Sequence, residues 1–142
     1  MLKTFTLALA FAAAATAFAA ETPAASGSDY LLIVQESNAD FATRNDPAKA
    51  GAYWASFKAY GDELGKAGVI RGGNVILPPT VAKTITAKGA SVGPSDQAKL
   101  QQGGYFVIHT ATETEALDWA AKCPALKTGG AVEVRAIIPQ NM

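Results

Sequence analysis

The chain contains a single histidine, His109, at the end of the strand-like run "GGYFVIHT". Histidine is the side chain that most often transfers protons near neutral pH. The two-residue alternation of a strand places His109 on the same face as Tyr105. A histidine at a strand end can also serve only local hydrogen bonding or face solvent, and the sequence places no second residue beside it. His109 is therefore a candidate general base, with a structural role as the alternative.

Glu133 and Arg135 share one face of the last strand-like run, "AVEVRAII". An arginine guanidinium can clamp a carboxylate or phosphate with two parallel hydrogen bonds. We expect Arg135, together with Glu133 and Tyr105, to contact a small anionic ligand. A structural ion-pair network or exposure to solvent is the alternative, because alternation does not say which face of a strand is wet.

The only cysteine, Cys123, precedes a proline at the end of a predicted helix. A nucleophilic thiolate needs an electropositive neighbourhood, whereas a helix C-terminus is the negative end of the helix dipole. We therefore interpret Cys123 as a small buried thiol. One histidine and one cysteine do not provide the three or four ligands that zinc requires, and no cofactor motif is present, so we expect neither a metal nor a cofactor.

An aromatic group on the first long predicted helix could line a pocket. An amphipathic stripe facing the core explains most of it without a ligand. The group consists of Tyr53, Trp54, Phe57 and Tyr60.

The first nineteen of the 142 residues have the order of a secretory signal peptide. Lys3 is followed by an alanine-rich apolar run and then by the small-x-small site Ala17-Phe18-Ala19. We expect cleavage after Ala19, a flexible leader over residues 20–28, and export to the periplasm or the medium. No stable membrane association is expected after cleavage.

The composition narrows the partners of the mature chain. Twelve Lys plus Arg balance twelve Asp plus Glu in the full sequence, and loss of Lys3 leaves the mature chain slightly acidic, without the clustered basic patch that nucleic-acid binding requires. A single cysteine excludes an internal disulfide, so packing alone must hold the domain. Residues 29–142 are enough for one domain with one core.

The remaining pattern predicts strand, helix, strand, hairpin, strand, helix and strand. The first strand is "DYLLIVQE", the first helix runs from an N-cap at Asp46 to a stop at Gly68, and the second strand bends at Gly72-Gly73. The hairpin is "AKTITAKGASV", and the second helix starts with a capping box of Thr112 and Glu115.

Without the hairpin, this order is β-α-β-β-α-β, the α+β ferredoxin-like plan of an antiparallel sheet with both helices on one face. The first strand is apolar on both sides, so the second face of the sheet needs a cover. A second subunit is the usual cover, and we expect a homodimer in which the two sheets face each other.

Four ordered elements carry a resemblance to a known family. They are Leu77-Pro78-Pro79-Thr80, then Gly93-Pro94 spaced from Gly103-Gly104, then Trp119 to Pro124, then Glu133 to Arg135. Together they resemble the YCII-related family, in the branch named for its "DGPF" motif. The resemblance implies a dimeric ferredoxin-like (α/β-barrel) fold and a branch whose members mostly lack an assigned activity.

The departures from the family pattern bear on chemistry. Val92 and Ser95 replace the aspartate and phenylalanine of the naming motif. Relatives carry a histidine on the first helix and an aspartate before the helix-ending proline, which resemble a catalytic dyad. The corresponding residues here are Trp54 and Cys123, so the dyad is not carried over.

Two functions remain open at this point. The first is an exported, non-catalytic homodimer that binds a small molecule. The second is an enzyme of proton transfer or elimination on a small organic acid, with His109 as base and Arg135 as anion clamp in the cleft between the sheets. The fold does not choose between them.

Overall fold

A computed structural model describes residues 26–93 and 99–139. The predicted signal peptide (1–19), most of the predicted leader (20–25), and Pro94 and Ser95 of the motif region lie outside the described residues. The residues in these two ranges form six strands and three α-helices. The strands are β1 (Ser28–Ser37), β2 (Ile70–Val75), β3 (Lys83–Thr86), β4 (Gly89–Val92), β5 (Leu100–Thr110) and β6 (Ala131–Ala136), and the helices are α1 (Asn38–Asn45), α2 (Ala50–Lys66) and α3 (Glu113–Ala120).

Four strands form one sheet in the order β2-β5-β1-β6, with each neighbouring pair antiparallel. The strands β3 and β4 form a separate two-stranded hairpin. This arrangement confirms the predicted α+β ferredoxin-like plan with an inserted hairpin.

The two faces of the sheet are distinguished by the alternation along β1. Tyr30, Leu32 and Val34 point toward the helices and are buried in the main core. The core is completed by α2 and α3, which contribute Tyr60, Leu64, Ala116 and Ala120. Both predicted helices therefore pack on one face, as expected. We call this the helix face, and we call the opposite face, which carries Leu31 and Ile33, the outer face.

The sequence did not predict α1. Ser37 caps it, since the Ser37 hydroxyl accepts from Asp40 N at 3.2 Å and the Asp40 carboxylate accepts from Ser37 N at 2.9 Å. The predicted N-cap of the long helix is also wrong. Asp46 follows the end of α1, and its side chain accepts from Ala48 N in a turn, so that α2 begins only at Ala50.

The predicted end of the long helix and the predicted start of the last helix agree more closely with the structure. Gly68 adopts the left-handed backbone expected beyond a helix end, with φ of 70°. The Thr112 hydroxyl caps α3 by accepting from Glu115 N, but the Glu115 carboxylate accepts from Ala111 N rather than from Thr112 N. No helix within the two described ranges is long and apolar enough to cross a membrane.

Two bulges interrupt the sheet at the positions of its glycines. In the pairing of β1 with β5, Val34 lies opposite Gly104 and Gln35 opposite Gln102, so Gly103 is the extra residue. In the pairing of β2 with β5 the register shifts between Ile70 and Gly72, which confirms the predicted bend. The Gly103 bulge leaves a backbone carbonyl outside the ladder between β1 and β5, and that carbonyl organises the site described next.

Candidate ligand-binding cleft

The structure places the four predicted site residues on the outer face. Tyr105 and His109 alternate along β5, and Glu133 and Arg135 lie on β6, across the central strand β1. Within the described residues, no hydrogen bond or ion pair joins His109 to Arg135.

His109 has a partner that the sequence did not reveal. Its Nδ1 lies 2.8 Å from Asp29 Oδ1, and Asp29 is the residue opposite His109 in the antiparallel pairing of β1 with β5. The other ring nitrogen, Nε2, is buried and has no hydrogen-bond partner among the described residues. A Cβ atom on Gly27 would lie 2.8 Å from this nitrogen, so the Gly27 backbone covers it.

Arg135 pairs with Glu133 on its own strand. Arg135 Nε donates to Glu133 Oε1 at 2.7 Å, and Gln35 Nε2 donates to Glu133 Oε2 at 3.3 Å. Arg135 remains 64 % exposed, so the guanidinium is accessible but already neutralised by its neighbour. The Tyr105 hydroxyl lies 3.2 Å from Asn74 Nδ2, which donates to it. The role of these residues in anion binding stays a prediction.

A cleft of about 290 Å³ opens on the helix face, between α2 and strands β2 and β5. Its walls are mainly aromatic and its floor is glycine backbone. The aromatic side chains of the wall are Tyr53, Trp54, Phe57 and Phe106, and the glycines are Gly73, Gly103 and Gly104.

The floor depends on two of those glycines. A Cβ on Gly73 would lie 2.8 Å from Tyr105 O, and a Cβ on Gly104 would lie 2.8 Å from Asn74 O. Side chains at these positions would collide with the backbone of the neighbouring strand. The glycines therefore let β2 and β5 pair closely and leave the space above them open.

A buried ion pair lies at one end of the cleft. Arg44 Nη1 donates to Glu36 Oε2 at 2.8 Å and to the bulge carbonyl Gly103 O at 3.0 Å, while Nη2 donates to Ile76 O. Both side chains of the pair are only 3 % exposed. Burial raises the pKa of Glu36, and the opposing charge of Arg44 lowers it by a smaller amount.

Aromatic rings enclose the guanidinium. The Arg44 Cζ lies 4.5 Å from the ring centre of Phe41 and 5.9 Å from that of Trp54. The Trp54 indole N–H also donates to Arg44 O at 3.2 Å, which attaches α2 to α1. Trp54 is thus part of the cleft wall.

Tyr53 contributes a hydroxyl whose hydrogen bonding is incomplete. Its ring centre lies 5.0 Å from that of Trp54 and 5.1 Å from that of Phe57. The hydroxyl oxygen is buried, yet it makes no hydrogen bond to any described residue. Buried polar atoms in native proteins almost always have a partner, so this oxygen calls for one from outside the protein chain.

Cys123 lies in the core, as predicted, with 2 % of its surface exposed. Burial raises the pKa of its thiol, which disfavours the nucleophilic thiolate. Among the described residues, no group of three histidine, cysteine or acidic side chains is arranged to hold a metal ion.

The fold and the cleft define a class: a ferredoxin-like α+β protein with an aromatic cleft between its helices and its sheet. The family model of the YCII-related domain matches residues 28–141, and the chain belongs to this family. No curated protein matches the chain.

Sequence reasoning missed the centre of this site. It considered Tyr53, Trp54 and Phe57 as pocket residues but preferred a core stripe, and it did not single out Glu36 or Arg44. A signal was present: Ser37, followed by Asp40 at the capping-box spacing, marks the start of the helix that carries Arg44.

We predict that Gly103→Ala destabilises the fold by about 3 kcal/mol. A Cβ at this position would lie 1.9 Å from Glu36 Oε2, and the buried carboxylate has little room to move while it remains paired with Arg44. Urea unfolding measures the change. The matched control is Gly61→Ala on α2, where a Cβ meets nothing within 4 Å and which should stabilise by about 0.5–1 kcal/mol. Equal effects of the two substitutions would contradict this account of the bulge.

We predict a pH dependence from Glu36. Because burial raises the folded-state pKa of Glu36 above that of a free glutamate, the folded state holds the proton more tightly than the unfolded state does. The stabilising contribution is complete below the unfolded-state pKa and is lost as the pH rises through the folded-state pKa. The free energy of unfolding of the wild type should therefore fall relative to that of Glu36→Gln as the pH rises from about 4. Glu63→Gln, at an exposed residue of α2, is the control. If the free energy of unfolding of the wild type instead rose relative to that of Glu36→Gln, the attraction between Glu36 and Arg44 would outweigh the desolvation of Glu36.

Proposed function

We propose that this protein is an exported homodimer of the DGPF branch that binds a small organic molecule in the cleft and performs no chemistry on it. The observation that carries the proposal is the buried Tyr53 hydroxyl, which lacks a partner in a cleft walled by aromatic rings. A bound molecule supplies the missing hydrogen bond and stacks against the rings.

The size and charge of the cleft support a small ligand with an apolar, planar body. A volume of about 290 Å³ is close to the lower end of the range for small-molecule sites. The charge of Arg44 is balanced by Glu36, and the Arg44 guanidinium is already engaged by its contact with an aromatic ring and by its hydrogen bonds. The aromatic walls then supply most of the contact area.

Export is supported by the N-terminal sequence, in which Lys3, an apolar run and Ala17-Phe18-Ala19 follow the order of a cleavable signal. The DGPF assignment is supported by the motif order, including Gly93 and the Gly103-Gly104 pair, within a chain that belongs to the YCII-related family.

Dimerisation is supported by the outer face. Leu31 and Ile33 of β1 and Val107 of β5 place apolar side chains there, opposite the face that the helices cover. Two such sheets facing each other would form a closed, two-fold symmetric interface.

We predict that the chain beginning at Ala20 is a dimer by size-exclusion chromatography with light scattering, and that Val107→Lys makes it a monomer. The lysine would bring a charge into the apolar contact between the two outer faces. Leu117→Lys is the control, since Leu117 is 51 % exposed on α3, on the helix side, and its replacement should leave the dimer intact. A wild-type monomer, or a Val107→Lys dimer, would contradict the proposed interface.

The ligand proposal is tested by titrating the protein with small aromatic probes (toluene, phenol, anisole and benzoate) and following amide resonances by NMR. We expect shifts in the cleft residues of α2, β2 and β5, and a loss of affinity of about tenfold or more in Trp54→Ala, because one aromatic wall is removed. Arg135→Ala should leave the affinity unchanged. If no probe perturbs the cleft, the binding proposal fails.

The enzyme alternative has one observation in its favour, the contact between Asp29 and His109 Nδ1, which orients the imidazole as in catalytic histidine–carboxylate pairs. It would act on a small organic acid held by Arg135. Three variants separate the two functions: benzoate binding that is lost in His109→Ala and Arg135→Ala, but kept in Trp54→Ala, would favour the outer face over the cleft.

A further inference from the structure

The polar groups of the residues that line the cleft indicate which polar atoms its ligand carries, in addition to an aromatic body. The Tyr53 hydroxyl can donate one hydrogen bond and accept others, and it uses none of this capacity within the described residues. A ligand that forms a hydrogen bond with the Tyr53 hydroxyl must place a polar atom next to it. A purely apolar ligand would leave this oxygen unpaired, as it is in the free protein, and would gain no affinity from it.

The second polar group is the Glu36 carboxyl, which also lines the cleft. Arg44 binds its Oε2 atom, so Oε1 is the oxygen that Arg44 does not hold. Above its raised pKa the Glu36 carboxyl is ionised and only accepts hydrogen bonds, and charge-assisted bonds are about twice as strong as neutral ones. The ligand group nearest Glu36 is therefore favoured if it carries a proton to donate.

The charges of the cleft disfavour an anionic ligand. The Arg44 guanidinium already donates to Glu36, Gly103 O and Ile76 O. Lys58, the other cation of the lining, binds Asp62 at 2.7 Å and is 76 % exposed. Both cations of the lining are therefore already paired with carboxylates, and the negative charge of Glu36 would repel a ligand carboxylate.

We infer that the cleft selects small phenols, whose hydroxyl donates to Glu36 and accepts from Tyr53. A hydroxyl on an aromatic ring is the simplest group that donates and accepts at one atom, and the ring matches the walls formed by Trp54, Phe57 and Phe106. This inference rests on the proposed binding function and adds the chemical class of the ligand. It assigns the outer-face residues His109 and Arg135 no part in recognition.

The first test needs no substitution. The wild-type chain is titrated with phenol, anisole, toluene and benzoate by calorimetry or NMR. We expect phenol to bind at least about tenfold more tightly than anisole, which accepts but cannot donate, and than toluene, which can do neither. Benzoate should bind most weakly. If anisole or toluene binds as tightly as phenol, or benzoate binds more tightly, the inference is overturned while the binding function stands; if none of the four binds, the binding function itself fails.

The second test assigns the two polar groups. Tyr53→Phe removes a buried hydroxyl that has no partner in the described chain, so it should not harm folding. It should weaken phenol binding several-fold and leave toluene binding unchanged. Tyr60→Phe is the matched control, because the Tyr60 hydroxyl donates to Trp119 O at 2.9 Å outside the cleft lining, and it should leave phenol binding unchanged.

Glu36→Gln should reduce the preference for phenol over anisole, with folding checked by thermal unfolding. If this variant does not fold because Arg44 loses its counter-charge, the comparison of the four ligands and the Tyr53→Phe variant still test the inference. A phenol preference that is unchanged in Tyr53→Phe would overturn the assignment of this hydroxyl.

Discussion

The rest of this structure depends on the hydrogen bonds that the Arg44 guanidinium makes. It reaches from α1 to three acceptors, which are the Glu36 carboxylate at the end of β1, the bulge carbonyl Gly103 O in β5, and Ile76 O beyond β2. Two of these acceptors lie on the neighbouring strands β1 and β5 and the third lies one residue beyond β2, at a place where the regular ladder is interrupted. A buried arginine that lost its carboxylate would leave an uncompensated charge, which typically costs about 3–5 kcal/mol. The capping box at Ser37 therefore serves the sheet as well as the helix, because it starts the helix that delivers Arg44.

On the helix face, the bulge that Arg44 stabilises lies between the close-packed core and the cleft. Toward one end of the sheet, Leu32, Ile108 and Leu64 form a close-packed core with almost no exposure. Toward the other end, glycines replace large side chains in β2 and β5, and α2 presents aromatic rings above them. The space between is the cleft. The same glycines that the sheet needs for close pairing thus create the cavity, without any loop or lid.

Much of the fold was predictable because it depends on local chain chemistry. The continuous apolar run of β1, the hairpin around Lys88 and the cap at Thr112 are signals carried by neighbouring residues. The site was less predictable, because its contacts join distant residues. His109 meets Asp29 across 80 positions, and Arg44 meets Gly103 across 59. Alternation along a strand gives the face of a residue but not its partner on the next strand, and the bulge at Gly103 shifts that register by one. The start of α2 was misplaced for a related reason, since Asp46 closes a turn between two helices rather than opening one.

The burial of Cys123 has a consequence for a protein destined for an oxidising compartment, as the proposed export implies. A lone thiol on the surface would form mixed disulfides or link two copies covalently, because no second cysteine can compete for it within the chain. With 2 % of its surface exposed, the sulfur is shielded from such partners for as long as the core stays closed. Oxidative cross-linking of this chain then requires an opening of the core around α3, and when reclosing is faster than the chemistry its rate follows the equilibrium population of the open form. The free energy of this opening therefore governs both the local stability of the core and the resistance of the thiol to oxidation.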